Sequence, residues 1–198
     1  MKTVFFDVDT QIDFLFPAGA LYVPGAENIV ERLAGLTRFA AANGLQIIST
    51  ADAHTENDPE FGAWKPHCVV GTVGQTKISG ALLPQALVLS SAETSFDNIQ
   101  ANAQTAPQIL IEKQNIDCFT NPNIHPLLKI LNPQRYVVYG VVTELCVQKA
   151  VFGLLKTGAR VELVTDATTS LDQNQERETF AHFQAAGGFL TTVAAVTA

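Results

Sequence analysis

Seven short runs of apolar and β-branched residues recur along the chain: "TVFFDV" at 3–8, "LQIIST" at 45–50, "ALVLSS" at 86–91, "QILIEK" at 108–113, "RYVVYGVV" at 135–142, "RVELVT" at 160–165 and "GFLTTV" at 188–193. Each has the length of a strand. Several are nearly continuous in apolar character instead of alternating, the pattern of strands in a parallel sheet covered on both faces. Between many of them lie helical stretches. Over 27–43, Ile29, Leu33, Leu36 and Ala40 form one stripe closed by "NG" at 43–44; over 144–157, Val147, Ala150, Val151 and Leu154 form another closed by Gly158. A third helix is expected over 173–186, stopping at Gly187-Gly188. Strand and helix in alternation predict an α/β fold, a three-layer α/β/α sandwich with right-handed crossovers.

The 198 residues fit one domain, 1–198, and a composition of 47% hydrophobic and 16% charged residues supports a compact core. The region 52–85 stands apart as a long loop-rich excursion with Pro59, Pro66 and several glycines, and long loops in compact domains are often functional. A formal net charge of −7 without a Lys/Arg cluster gives no electrostatic support for nucleic acid or an anionic membrane surface, so a small-molecule ligand is expected. The start, "MKTVFFDVDTQIDF", carries acidic residues where a signal peptide needs an apolar core, and no segment is long and apolar enough to span a bilayer. A cytoplasmic location is the expectation. The three cysteines, Cys68, Cys118 and Cys146, are an odd number that argues against a disulfide framework.

Ligands of open parallel sheets bind beyond the carboxyl ends of the strands. Asp9 follows the first strand, Asp52 and His54 the second, Lys113 ends "QILIEK", and Cys146 comes just after "VVYGVV". If those strands are neighbours, four strand ends converge on one crevice. In "GVVTELCV" Thr143 is a candidate N-cap, so Cys146 falls in the first turn of the next helix, where unpaired N–H groups and the helix dipole favour a thiolate. On position alone a small buried hydrophobe is an equal reading. An Asp that can take the thiol proton and a Lys that can hold the resulting charges shift the balance toward a nucleophile.

The segments "DTQIDF" (9–14), "IEKQNIDCF" (111–119) and "GVVTELCV" (140–147) resemble the three signature segments of the isochorismatase-like cysteine hydrolases, and "DAH…E…WKPHCVVGT" resembles the metal-binding segment of the nicotinamidase branch. The resemblance covers nearly the whole chain. It implies a six-stranded, mostly parallel sheet between helices, with Asp9 as general base, Cys146 as nucleophile and Lys113 as the cation paired with both. It also implies an oxyanion hole built from the backbone N–H groups of Val142 and Cys146, following a cis peptide at Val141–Val142.

Asp52 and His54 are two apart, so on an extended chain both side chains face one way, while Glu60 and His67 can return from the loop to complete a cluster of N and O ligands. Glu56 is the rival carboxylate. Such a set suits a divalent metal, Zn²⁺ first, with Mn²⁺ and Fe²⁺ as alternatives. Cys68, next to His67, is expected to face away from the metal. By the resemblance, Trp64 and Phe14 line the substrate pocket, Trp64 stacking on a pyridine ring; for Phe14 core packing is a nearly equal reading. Two departures border the pocket, Lys65 in place of a second Pro and Leu145 in place of His or Tyr. His125 and His182 match no motif and read as capping or surface residues. The expected activity is a metal-dependent cysteine amidohydrolase, nicotinamide plus water to nicotinate plus ammonia, through a thioester. The alternatives are hydrolysis of isochorismate or N-carbamoyl amides, or a non-catalytic ligand-binding relative; monomer and homo-oligomer both stay open.

Overall fold

Each of the apolar runs becomes a strand in the computed structural model, which describes all residues Met1–Ala198. The strands are β1 (Thr3–Val8), β2 (Gln46–Asp52), β3 (Ala86–Leu89), β4 (Gln108–Lys113), β5 (Arg135–Val141), β6 (Arg160–Thr169) and β7 (Phe189–Thr191). They form one sheet in the order β3-β4-β2-β1-β5-β6-β7, and every pairing is parallel. The sheet is therefore one strand larger than the six implied by resemblance and has no antiparallel member. Its smallest strand is β7, whose three residues pair with Glu162–Val164 at the sheet edge.

The helices are α1 (Ile12–Leu15), α2 (Val30–Ala42), α3 (Phe96–Ala103), α4 (Ile124–Leu131), α5 (Gln148–Leu155), α6 (Gln173–Ala185) and α7 (Val193–Thr197). They divide between the two faces, and the strands supply both. Val4, Phe6 and Val8 of β1 pack with Ile99, Leu127, Val151 and Phe183 from α3 to α6. Phe5 packs on the opposite side with Leu33, Leu36 and Ala40 of α2 and with Val196 of α7. Strand side chains alternate between faces, so two cores explain why the runs read as continuously apolar. All the stripe residues expected of the helices over 27–43 and 144–157 are buried, and the residues that close them take left-handed backbone, Gly44 at φ +63 and Gly158 at φ +79. None of the helices is long and apolar enough to cross a membrane.

Thr143 is not the expected cap. The turn after β5 is a single π turn, Thr143–Val147, with Val142 before it and no side-chain cap. The Thr143 hydroxyl is buried and is drawn sideways to Thr168 Oγ1 at 2.9 Å and Glu176 Oε1 at 3.3 Å, so it is spent on β6 and α6 and not on the turn's own N–H groups.

One glycine is required by the architecture. Gly140 sits in β5 at φ +118, where the register against β6 shifts, and a Cβ there would lie 2.0 Å from the carbonyl oxygen of Val8 in β1. Both the dihedral and the approach exclude a side chain. Gly140→Ala should cost roughly 2–4 kcal/mol, because the strained backbone and the steric clash add. Denaturant melts of the purified variant measure this; an unchanged midpoint would show that β1 and β5 can separate freely here.

Candidate active site

Four neighbouring strands, β4, β2, β1 and β5, end side by side, and the sequence-predicted residues lie at those ends. Asp52 and Lys113 are register partners as the last residues of β2 and β4. Asp9 follows β1 in left-handed backbone at φ +49, a conformation Asp tolerates better than most residues. Its N–H reaches Thr50 O at 3.2 Å, and its Oδ1 accepts the Thr50 hydroxyl at 2.6 Å. The carboxylate is thus aimed by β2. Cys146 arrives from β5 on the π turn.

Lys113, 1% exposed, is the hub. Its Nζ lies 3.0 Å from Asp9 Oδ2, donates to Asp52 Oδ1 and lies 3.7 Å from Cys146 Sγ. Burial opposes its charge, but Asp52, Asp9 and Cys146 outweigh this and hold the ammonium well above the usual lysine range. Burial raises Asp9, and although Lys113 pulls it back, the Asp52 charge adds to the rise. Asp52 goes the other way: burial disfavours its charge, but Lys113, His54 and His67 hold it ionised far below the usual carboxylate range. Burial pushes the Cys146 thiol up; Lys113 counters, while Asp9 and Asp52 push it further. The Asp9 Oδ2 atom is buried and, apart from the ion pair, accepts no directed hydrogen bond. An acceptor for the thiol proton is in place.

Asp52 also belongs to a second group. Its Oδ2 lies 3.9 Å from His54 Nε2 and 3.7 Å from His67 Nε2, and one ligand atom from each of the three residues lies within 4.8 Å of the others. The far nitrogens are anchored: His54 Nδ1 is 3.1 Å from Asp58 Oδ2, and His67 Nδ1 is 2.7 Å from Lys65 O. Protons on both Nδ1 atoms leave both Nε2 lone pairs converging with the carboxylate. His54 is fully buried; its Nδ1 has the Asp58 carboxylate at ion-pair distance but not in hydrogen-bond geometry, and its Nε2 has no hydrogen-bond partner either. A buried imidazole nitrogen left open beside a second imidazole and a carboxylate fits a divalent metal, with the anchoring partners that metal-bound histidines need.

Glu60 is not part of that tight trio. It is half-buried on a 3₁₀ turn, Pro59–Gly62, and lines the chamber beside His67, while burial and the Asp52 charge raise its carboxyl. The rival Glu56 is exposed. Cys68 turns away as expected: fully buried, at φ +45, it packs in the α2-side core, its N–H donates to Asp13 Oδ2 at 2.7 Å, and burial pushes its thiol far up. Cys118 lies in the other core. His125 and His182 are both exposed.

The two groups share a chamber of about 500 Å³, its open mouth included. Its walls are mainly apolar, and it takes in Asp9, Asp52, His67 and Cys146, with Phe14 and Trp64 among the walls. The ring of Phe14 is 5.4 Å from that of His67. Val142 and the family departure Leu145 line the chamber as well, and the peptide Val141–Val142 is cis.

Several supporting residues had no sequence signal of their own. Gln11 grips β2 at its end, its Oε1 accepting Asp52 N at 2.7 Å and its Nε2 donating to Asp52 O at 2.8 Å. Asp13 fastens Cys68 N with one oxygen and Ala20 N with the other. Asp58 orients His54 and caps the turn bearing Glu60, whose N–H it accepts at 2.9 Å. Phe61 packs its ring 5.3 Å from His54. Gln11 and Asp13 lie inside the quoted segment "DTQIDF", where polar side chains between apolar ones were the only hint.

The ends of the central strands of this parallel α/β sheet thus bring together a carboxylate, an ammonium and a thiol beside a metal-capable trio. Residues 3–195 match the isochorismatase domain, and the chain belongs to the isochorismatase family. It is 25% identical over 189 residues to PncA, an isochorismatase family protein of Bacillus subtilis strain 168, covering 92% of this chain and 94% of that one. A pyrazinamidase of Pyrococcus horikoshii, solved in complex with zinc, superposes with a TM-score of 0.80 at 24% identity over 97% of this chain and 99% of its own. PnC1 of L. infantum, solved with nicotinate, gives 0.73 at 26% identity over 98% and 93%.

Proposed function

We propose that the chain is a metal-dependent amidohydrolase for small aromatic carboxamides, nicotinamide first among them, working through a thioester on Cys146. One observation carries the reading: the buried Lys113 ammonium touches both Asp9 and Cys146, which line an apolar chamber. Moving the thiol proton to Asp9 leaves the net charge around Lys113 unchanged, since a negative charge only passes from one neighbour of the ammonium to the other. The raised Asp9 carboxyl suits that exchange.

The thiolate of Cys146 then attacks the amide carbon, forming an S–C bond and a tetrahedral oxyanion held by the backbone N–H groups of Val142 and Cys146. Asp9 returns its proton to the nitrogen, the C–N bond breaks, and ammonia leaves a thioester. Asp9 next takes a proton from water, which attacks the thioester carbon; the C–S bond breaks, Asp9 returns that proton to the sulfur, and the acid leaves as a carboxylate with its proton passing to ammonia. A divalent ion held by Asp52, His54 and His67, zinc by the chemistry of the N and O donors, would supply a Lewis-acid contact for a ring nitrogen. Glu60, outside that trio but on the same chamber wall, would be the fourth donor. The nicotinate bound to the L. infantum relative supports a pyridine ring as the ligand.

Purified metal-replete protein incubated with nicotinamide, pyrazinamide and N-carbamoyl compounds should release ammonia from the pyridine and pyrazine carboxamides. No turnover of either would sink this reading, and turnover of N-carbamoyl compounds alone would reassign the substrate. Trp64 is half-buried on the chamber wall. Removing a stacking face worth about 0.5–1.5 kcal/mol, Trp64→Ala should raise KM several-fold with a smaller change in kcat. Steady-state kinetics would show an unchanged KM if the indole packs only on protein.

A further inference from the structure

Glu144 sits two residues before Cys146 on the π turn and is 8% exposed, yet it takes no part in the chamber lining. Leu145 and Cys146 face the chamber while the Glu144 carboxylate crosses to the link between β6 and α6. There its Oε1 accepts Leu171 N at 2.8 Å and Asp172 N at 3.1 Å. Its Oε2 is buried without a partner. Helix α6 does not need this carboxylate as a cap, because Asp172 Oδ1 already accepts Asn174 N at 2.7 Å and Gln175 N at 3.3 Å. What Glu144 orders is the link itself.

Leu171 is the residue at stake. It is 50% exposed and at the same time lines the chamber with Cys146, so it stands at the mouth. The link is only three residues long, between Thr169 and Gln173. A carboxylate accepting two successive main-chain N–H groups makes charge-assisted bonds that fix such a link tightly. We infer that Glu144 is a positioning residue that fastens Leu171 to the turn bearing Cys146, so that the mouth of the chamber keeps a set width and limits the size of molecule that reaches the sulfur. Leu171 is then the specificity-determining side chain and Glu144 acts through it.

The inference rests on reading Cys146 as the group that substrates must reach, and the test needs no substrate, so it can fail independently of amide turnover. Alkylation rates of Cys146 are measured by peptide mass spectrometry with two reagents, compact iodoacetamide and bulky N-phenylmaleimide. Glu144→Ala should raise the ratio of bulky to compact rates several-fold, and Leu171→Ala should do the same. The double variant should exceed the larger single effect little or not at all, because both act on one wall. Glu144→Gln should stay near the wild-type ratio, since its amide oxygen can still accept both N–H groups. If Glu144→Ala fails to fold, Glu144→Asp, one methylene shorter and unable to reach both amides, should show the rise. A wild-type ratio in Glu144→Ala or Glu144→Asp, or full additivity with Leu171→Ala, would overturn the inference.

Discussion

Cys146→Ala should lower amide hydrolysis by at least about 10⁴-fold while leaving the fold intact, because deleting the nucleophile of a unit that acts together removes nearly all its catalysis. The geometry singles out this sulfur. Cys146 alone among the three thiols lines the chamber, within 3.7 Å of the Lys113 ammonium. Cys68 and Cys118 are packed in the two cores, away from the chamber; burial pushes all three thiols up, so access and the Lys113 contact are what set Cys146 apart. Cys68→Ala should therefore keep most of the activity and cost about 1–2 kcal/mol by emptying a packed site. Intact-mass and peptide mapping after treatment with an electrophilic pyridine analogue should find the adduct on Cys146. A label on Cys68, or an active Cys146→Ala, would mean that the segment 51–68 holds the working sulfur.

The strands and the principal site residues were legible for one reason: a parallel sheet buried on both faces writes its strands as apolar runs, and its ligands gather where those runs stop. Asp9, Asp52, Lys113 and Cys146 could be found by reading the polar and reactive residues at each run's end or within four positions beyond it. Boundaries were less legible. β6 continues to Thr169 through Asp166, Ala167 and Thr168, beyond the apolar run that ended at 165. The helices α3 and α4 were not assigned from the sequence. α3 is an eight-residue helix of mainly polar and small residues, and α4 carries Pro126 in its first turn, which disguises a strongly amphipathic segment.

The polar scaffold was illegible because its partners are remote along the chain. Lys77 reaches Asp7 at 3.1 Å and the carbonyl of Thr50 at 2.9 Å, pinning the excursion against β1 and β2 next to Asp9. Gln11 spans to Asp52 and Gln75, and Asp13 to Cys68. No periodicity announces such links. Only the fold brings them together.

Removal of His54 should empty the metal site. In His54→Ala the trio loses the donor whose Nε2 is buried and otherwise unpartnered, leaving one carboxylate and one imidazole. Elemental analysis of wild-type protein should find about one divalent ion per chain, and the variant should lose it while its circular dichroism is kept, since His54 follows β2 past Asp52, the last residue of that strand's pairing with β4. Asp58→Ala offers a graded version. That carboxylate holds the His54 ring by Nδ1 and caps the turn that presents Glu60, so its loss should weaken metal binding about 10–100-fold without deleting a ligand. Asp58→Ser, which can still cap the turn but cannot reach the imidazole, should fall between wild type and Asp58→Ala and so separate the tasks. Chelator competition measures all three affinities. Full metal content in His54→Ala would remove the trio from the metal and leave the convergence of Asp52, His54 and His67 as a hydrogen-bonded wall of the chamber.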